Sequence, residues 1–280
     1  MFGVANVKVD GKEKNLFVRN HFFNGWRMRY TIIVFCALLL IRNNAIAQAD
    51  NEIQVYASPT IQQKWTIFEL HSNYTFTGSK LLNDPRSAKW MNETLEITHG
   101  FAKNFEIGFY TFAGVAPGGG FQYLGNQVRP RVTVPDNWKW EIGASLSLEF
   151  GFFRPDDTTK FVWHGEIRPI IDNTIDNWYF AFNPNLDFVL TGDSKGIGIA
   201  PQFKTVYTIK KKFGFGFEYY GGLGSFEKLL PAYLQEHLIG PMIDLYVHTM
   251  WEINSGFLFG LTQNSNQRVL KILLGRRIGK

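Results

Sequence analysis

The residues that could do chemistry in this chain are carboxylates and cations set among apolar neighbours in segments that alternate. Glu69, Glu96, Glu106, Glu141, Glu149, Glu166, Asp187, Glu218, Asp244 and Glu252 fall in such segments, as do Arg129, Arg131, Arg168 and Lys204. Successive side chains of a strand point to opposite faces, so this spacing gathers opposite charges onto common faces. If those faces enclose one narrow space the charges must pair, because an unpaired buried charge is expensive. Such a ladder is structural first, and it can also lay a polar path for a solute. The residues expected to line that path are Glu69, Glu141, Glu149, Glu166, Arg168, Asn183, Asn185, Glu218 and Tyr220. Gly214 and Gly216 share a face with Glu218, where they either leave space or relieve packing at a bend.

Other chemistries find little support. His71, His99, His164, His237 and His248 are scattered, and none stands at metal-ligand spacing with an acid beside it. Ser72 adjoins His71, but neighbours on a strand face opposite ways. Ser145 and Ser147 share a face with Glu141 and Glu149, with no histidine on that segment. There is no nucleophile elbow, phosphate loop or dinucleotide fingerprint. Catalysis, a metal and a cofactor are therefore not expected. Cys36 is the sole cysteine and lies in the leader described below, so the segment after it offers no disulfide or thiol nucleophile.

The elements that must position these groups are strands. The clearest runs from Trp140 to Phe150, with Trp140, Ile142, Ala144, Leu146, Leu148 and Phe150 on one face and Glu141, Gly143, Ser145, Ser147 and Glu149 on the other. Similar alternation marks Phe68–Phe76, Thr94–Thr98, Phe105–Phe109, Phe161–Arg168, Trp178–Phe188, Gln202–Ile209, Phe213–Glu218 and Ile243–Glu252. Weaker segments lie near Val128–Val134, Gly256–Leu261 and Val269–Gly275. About twelve strands of about ten residues follow, the length a tilted strand needs to cross a bilayer. Aromatics make up 16% of the 280 residues, and 27 glycines accompany them, as strands and tight turns require.

The first 47 residues read differently. Arg27 and Arg29 precede the apolar run Ile32–Ile41, and Ala45-Ile46-Ala47 forms a small-x-small site. That order is a secretory signal peptide over 28–47, cut before Gln48. The run is too short for a permanent anchor. Residues 1–27 make an unusually long polar lead, so translation is expected to start at Met28. The leader holds seven basic and two acidic groups, and its removal leaves 22 of each sign from the 29 and 24 of the whole chain. The formal charge of +5 thus carries no message about nucleic acid.

Alternation alone does not say which face meets solvent. In a soluble protein the apolar face is the core; in a membrane barrel it meets lipid and the polar face lines the lumen. Export without disulfides and aromatics near strand ends favour the second arrangement. A resemblance agrees. Glu166-Ile-Arg-Pro169, Asn183-Pro184, Pro201 and Glu218-Tyr-Tyr-Gly221 occur in order, after Glu69-Leu70 and the string ETLEITHGFAKNFEIGF over Glu93–Phe109. Over roughly residues 52–280 the chain resembles the outer-membrane transporters associated with the MetA pathway of phenol degradation. That resemblance implies a barrel of about twelve strands moving small, often aromatic or apolar, molecules, with Glu166, Arg168, Asn183 and Glu218 inside. The chain ends Arg276-Arg277-Ile278-Gly279-Lys280, without the terminal aromatic that the insertion machinery reads in many such barrels.

The expectation is an all-β, antiparallel transmembrane barrel over 48–280, in the outer membrane of a Gram-negative bacterium. Its partners would be lipid, the insertion machinery and a small solute, and its role that of a channel or transporter. The rivals are a structural or adhesion barrel with a filled lumen and a soluble periplasmic β-barrel binding protein.

Overall fold

The computed structural model describes residues 5–9, 12–16, 52–81, 88–154, 160–191, 196–246 and 250–279. The signal segment 28–47, Cys36, the proposed start at Met28 and the cleavage site before Gln48 lie outside them. Residues near the start form a separate antiparallel hairpin, β1 (Ala5–Val9) with β2 (Lys12–Leu16).

The second unit is a closed barrel of twelve antiparallel strands. They are β3 (Thr66–Thr77), β4 (Trp90–Ala102), β5 (Phe105–Val115), β6 (Phe121–Thr133), β7 (Gly143–Phe153), β8 (Val162–Ile175), β9 (Trp178–Val189), β10 (Ile197–Ile209), β11 (Phe213–Gly222), β12 (Glu236–Leu245), β13 (Trp251–Gly260) and β14 (Arg268–Ile278). Each pairs with its neighbour in sequence, and β14 closes the ring on β3 with Leu274 opposite Leu70 and Ile272 opposite Ser72. Closure removes every sheet edge. Two connections beside the chain's entry into β3 are tight turns: Lys103-Asn104 joins β4 to β5, and Asp176-Asn177 joins β8 to β9. Asp176 takes a left-handed φ of 54°, as a tight hairpin turn requires. The longer connection 223–235 lies at the opposite end. In outer-membrane barrels short turns face the periplasm and long loops the exterior.

The question left open by alternation is answered by the burial. Phe68, Leu70, Leu95, Phe109, Leu146, Leu148, Phe150 and Phe217 are 40–56% exposed on the outside. Glu96, Glu106, Glu149, Glu218, Arg129, Arg168 and Lys271 are 3% exposed or less within. An apolar exterior around a charged interior is stable in lipid and ruinous in water, so the soluble periplasmic alternative fails. Aromatic rings mark both rims: Trp138 near Trp140, and Trp178 near Tyr207, at the short-turn end; Phe150, Phe152 and Phe161 around Trp163 at the other.

Three details depart from the sequence reading. The strand expected from Trp140 begins only at Gly143, after a single 3-10 turn at Asp136–Trp138 and a left-handed Lys139 at φ 54°. Glu141 therefore sits exposed in the connection and does not line the interior: its alternation continues past the point where pairing with β8 stops, at Asp172. The run Ile243–Glu252 is not one strand; β12 ends at Leu245 and Glu252 belongs to β13. Finally, Gly214 and Gly216 do not open a path. A Cβ on Gly216 would come within 1.8 Å of the Thr205 carbonyl oxygen, and one on Gly214 within 2.6 Å of Val206 Cγ1. They let β11 lie close against β10.

Candidate functional site

The interior is crossed by a stretch that has no strand structure. Residues 52–61, upstream of β3, run inside the barrel as a strap, with Ile53, Val55, Tyr56 and Ser58 buried. Side chains of the wall hold its backbone. Tyr56 N–H donates to Asn183 Oδ1 at 2.7 Å, and Asn183 Nδ2 donates to the Tyr56 carbonyl at 3.1 Å. Ser58 donates from its N–H at 2.6 Å and from its hydroxyl at 2.7 Å to the Asp172 carboxylate, and Tyr179 donates to the same group. Gly143 makes room for that latch: a Cβ there would lie 2.3 Å from Ser58 Oγ. Arg131 donates to the carbonyls of Ala57 at 2.8 Å and Pro59 at 3.0 Å, and Ile61 N–H donates to Glu106 at 2.5 Å. Ile53 and Val55 pack on Ala181, Tyr220, Leu238, Leu258 and Val269, an apolar patch of the inner wall.

Tyr56 is the centre of the arrangement. The guanidinium carbons of Arg168, Arg129 and Arg131 lie 4.5, 4.8 and 5.5 Å from its ring centroid, within cation–π range. Its hydroxyl donates to Glu52, with Glu96 Oε2 3.3 Å and the Tyr110 hydroxyl 2.9 Å away.

The charged ladder expected from the sequence closes into three groups. In the first, Arg129 pairs with Glu96 and with Glu106 at 2.9 Å, and donates to Thr98 and Tyr110; Arg131 pairs with Glu106 at 2.7 Å. In the second, Arg168 pairs with Glu166 and lies 3.6 Å from Glu149. In the third, Glu218 accepts from Lys271 at 2.6 Å and from Tyr220 at 2.9 Å, with Lys204 at 3.4 Å bridging to Asp244 at 2.9 Å. Glu69, Glu149, Glu166, Arg168, Asn183, Asn185, Glu218 and Tyr220 thus all lie on buried inner positions. Only Asn183 among these grips the strap backbone directly.

Sequence reasoning missed Tyr56, Ser58, Asp172 and Lys271. Lys271 carried a usable signal, because a lone cation in Val269-Leu-Lys-Ile-Leu-Leu274 needs a buried partner. The strap carried none: Glu52-Ile53-Gln54-Val55 alternates, but so brief a run fits a loop or a strand end equally and says nothing of a place in the lumen.

Two cavities flank the strap. One, of about 570 Å³, is lined by Tyr56, Glu69, Thr98, Glu106, Arg129 and Arg131 among others. The second, of about 480 Å³, is lined by Val55, Tyr179, Lys204, Glu218, Asp244 and Lys271 among others. Gln54, Ala57, Glu252 and Arg277 border both.

Several solved structures superpose on this chain. The COG4313 outer membrane channel from Pseudomonas putida F1 superposes with a TM-score of 0.57 at 8% identity, covering 81% of this chain and all of that one. The KdgM porin in complex with disordered oligogalacturonate gives 0.49 at 12% identity, covering 75% of this chain and 98% of the other. The NanC porin gives 0.49 at 10%, covering 76% and 99%. At these identities the first likeness speaks for the fold, a twelve-stranded barrel of the outer-membrane kind. No family model matches the chain, and no curated protein matches it.

Proposed function

We propose that this chain is an outer-membrane conduit for small solutes, held shut by the strap 52–61. The observation that carries the reading is the strap itself, a segment outside the twelve strands that is hydrogen-bonded across the lumen with open space beside it. A barrel serving only structure could fill its interior from its own strands. Here the filling comes from a piece outside the wall, which can leave without unfolding a strand. The Pseudomonas putida F1 barrel that superposes on it is an outer membrane channel.

Deleting residues 52–61 tests this in liposomes loaded with a small solute. The folded deletion barrel should leak faster than the full chain. If it leaves vesicles as tight as empty controls, the conduit reading fails and the filled structural barrel stands.

A second observation favours apolar or aromatic solutes, as does the resemblance to the transporters of the phenol pathway. Pro169 and Pro184 face each other across the β8–β9 seam, and Pro201 pairs with Pro184 from β10. Proline donates no backbone hydrogen bond and is rare in sheet interiors. The β8–β9 pairing lapses between Ile167–Leu186 and Ile171–Phe182, just where Asn183 holds Tyr56. A wall weakened at that height gives an apolar molecule in the lumen a route into lipid. Replacing Pro169 and Pro184 by alanine restores donors and should slow apolar flux while leaving polar flux unchanged. Equal slowing of both would remove this route.

A further inference from the structure

We propose that Glu52, His71 and Glu96 form a binding site for a divalent transition-metal ion that pins the strap to the wall. One carboxylate oxygen each of Glu52 and Glu96 and a ring nitrogen of His71 lie within 4.8 Å of one another. The three come from different elements: Glu52 from the strap, His71 from β3 and Glu96 from β4. An ion held by all three therefore ties the strap to two strands at once. The pinning, though not the binding, rests on the strap being the closure.

An independent observation points to a ligand. His71 is 1% exposed, and its Nε2 has no hydrogen-bond partner. It faces Glu96 Oε2 at 3.5 Å, beyond ordinary hydrogen-bonding range. A buried ring nitrogen seldom goes unused, and an imidazole nitrogen set between two carboxylates is a donor set for a metal. Glu69 stands opposite Glu96 in the β3–β4 ladder, so carboxyl groups crowd this part of the lumen and a cation is well placed among them.

The ligand chemistry selects the class of ion. One imidazole and two carboxylates suit zinc or its neighbours in the first transition row better than magnesium or calcium, which prefer oxygen alone. Zinc takes donors at about 2.0–2.2 Å, so its ligands stand roughly 3–3.5 Å apart; the His71–Glu96 pair is already at 3.5 Å. Arg129 and Thr98 hold Oε1 of Glu96 and leave Oε2 turned to the site. The Tyr56 hydroxyl, which bridges Glu52 and Glu96, yields that role to the ion and keeps Tyr110 as its partner. The cavity of about 570 Å³ reaches Tyr56 and Glu69, which adjoin the three ligands.

The test uses the untagged full-length protein, folded in detergent, stripped with chelator and titrated with Zn²⁺, then with Co²⁺ for its visible absorption. One ion per barrel is expected, with a cobalt spectrum of low coordination number. His71→Gln and Glu52→Gln should each weaken binding at least about ten-fold, the least expected on losing a direct ligand. Glu52→Gln lies outside the wall, so it keeps the test decisive if the His71 variant folds poorly. Zinc at ten times its Kd should lower solute flux through wild-type liposomes about ten-fold, and not through Glu52→Gln. Absence of stoichiometric zinc binding, or binding that survives both substitutions, overturns the site. Zinc bound through these residues with unchanged flux supports the site and counts instead against the strap as closure.

Discussion

Asn183 is the sharpest place to ask whether the strap closes the barrel. It is fully buried, and its amide makes a two-point contact with the Tyr56 backbone at 2.7 and 3.1 Å. Each such bond contributes about 1 kcal/mol net, so Asn183→Ala should cost the seated strap about 2 kcal/mol. The ratio of displaced to seated strap then rises about 30-fold, since about 1.4 kcal/mol is a factor of ten. Asn183→Asp keeps the acceptor for the Tyr56 N–H and loses the donor, so a rise of about five-fold is expected, from about 1 kcal/mol. Single-channel recording in planar bilayers reads the ratio as open time, and heat-modifiable migration checks that each variant has folded. Unchanged open time in both folded variants would show that the strap does not govern passage, whatever holds it in place.

Three further outcomes follow from the same geometry. Removing either Glu166 or Arg168 strands a buried charge and should cost roughly 3–5 kcal/mol, while the double substitution costs less than the sum; denaturant titration in lipid checks the cycle, and additive losses would mean independent solvation. Leu146→Cys, outward and 41% exposed, should react only with a lipid-soluble thiol reagent, and labelling by a membrane-impermeant one in native vesicles would contradict the barrel's orientation. Gly216→Ala should stop the barrel reaching its heat-modifiable form, because the new Cβ meets a backbone carbonyl that has nowhere to move; a normally folded variant would show that β10 and β11 can separate.

How much of this was written in the chain depends on the range of the interaction. Alternation is local, and it sufficed to identify nearly every strand, the two faces of each, and inner positions such as Glu149, Glu166, Arg168, Asn183 and Glu218. It failed at Glu141 because a pattern of residue types runs on after backbone pairing has ended. Which face meets lipid was not decided by any single strand, since a soluble sheet has the same period. Closure of β14 on β3 decided it, by wrapping the charged faces inward. The partners of those charges were equally out of reach: Lys271 on β14 meets Glu218 on β11, and Arg129 on β6 meets Glu96 on β4, across strands that are not neighbours. The strap is the extreme case. Residues 52–61 alternate only over Glu52-Ile53-Gln54-Val55, too briefly to mark them as the occupant of the lumen; that place exists only once twelve strands have closed around it and set Asn183, Asp172 and Arg131 facing inward.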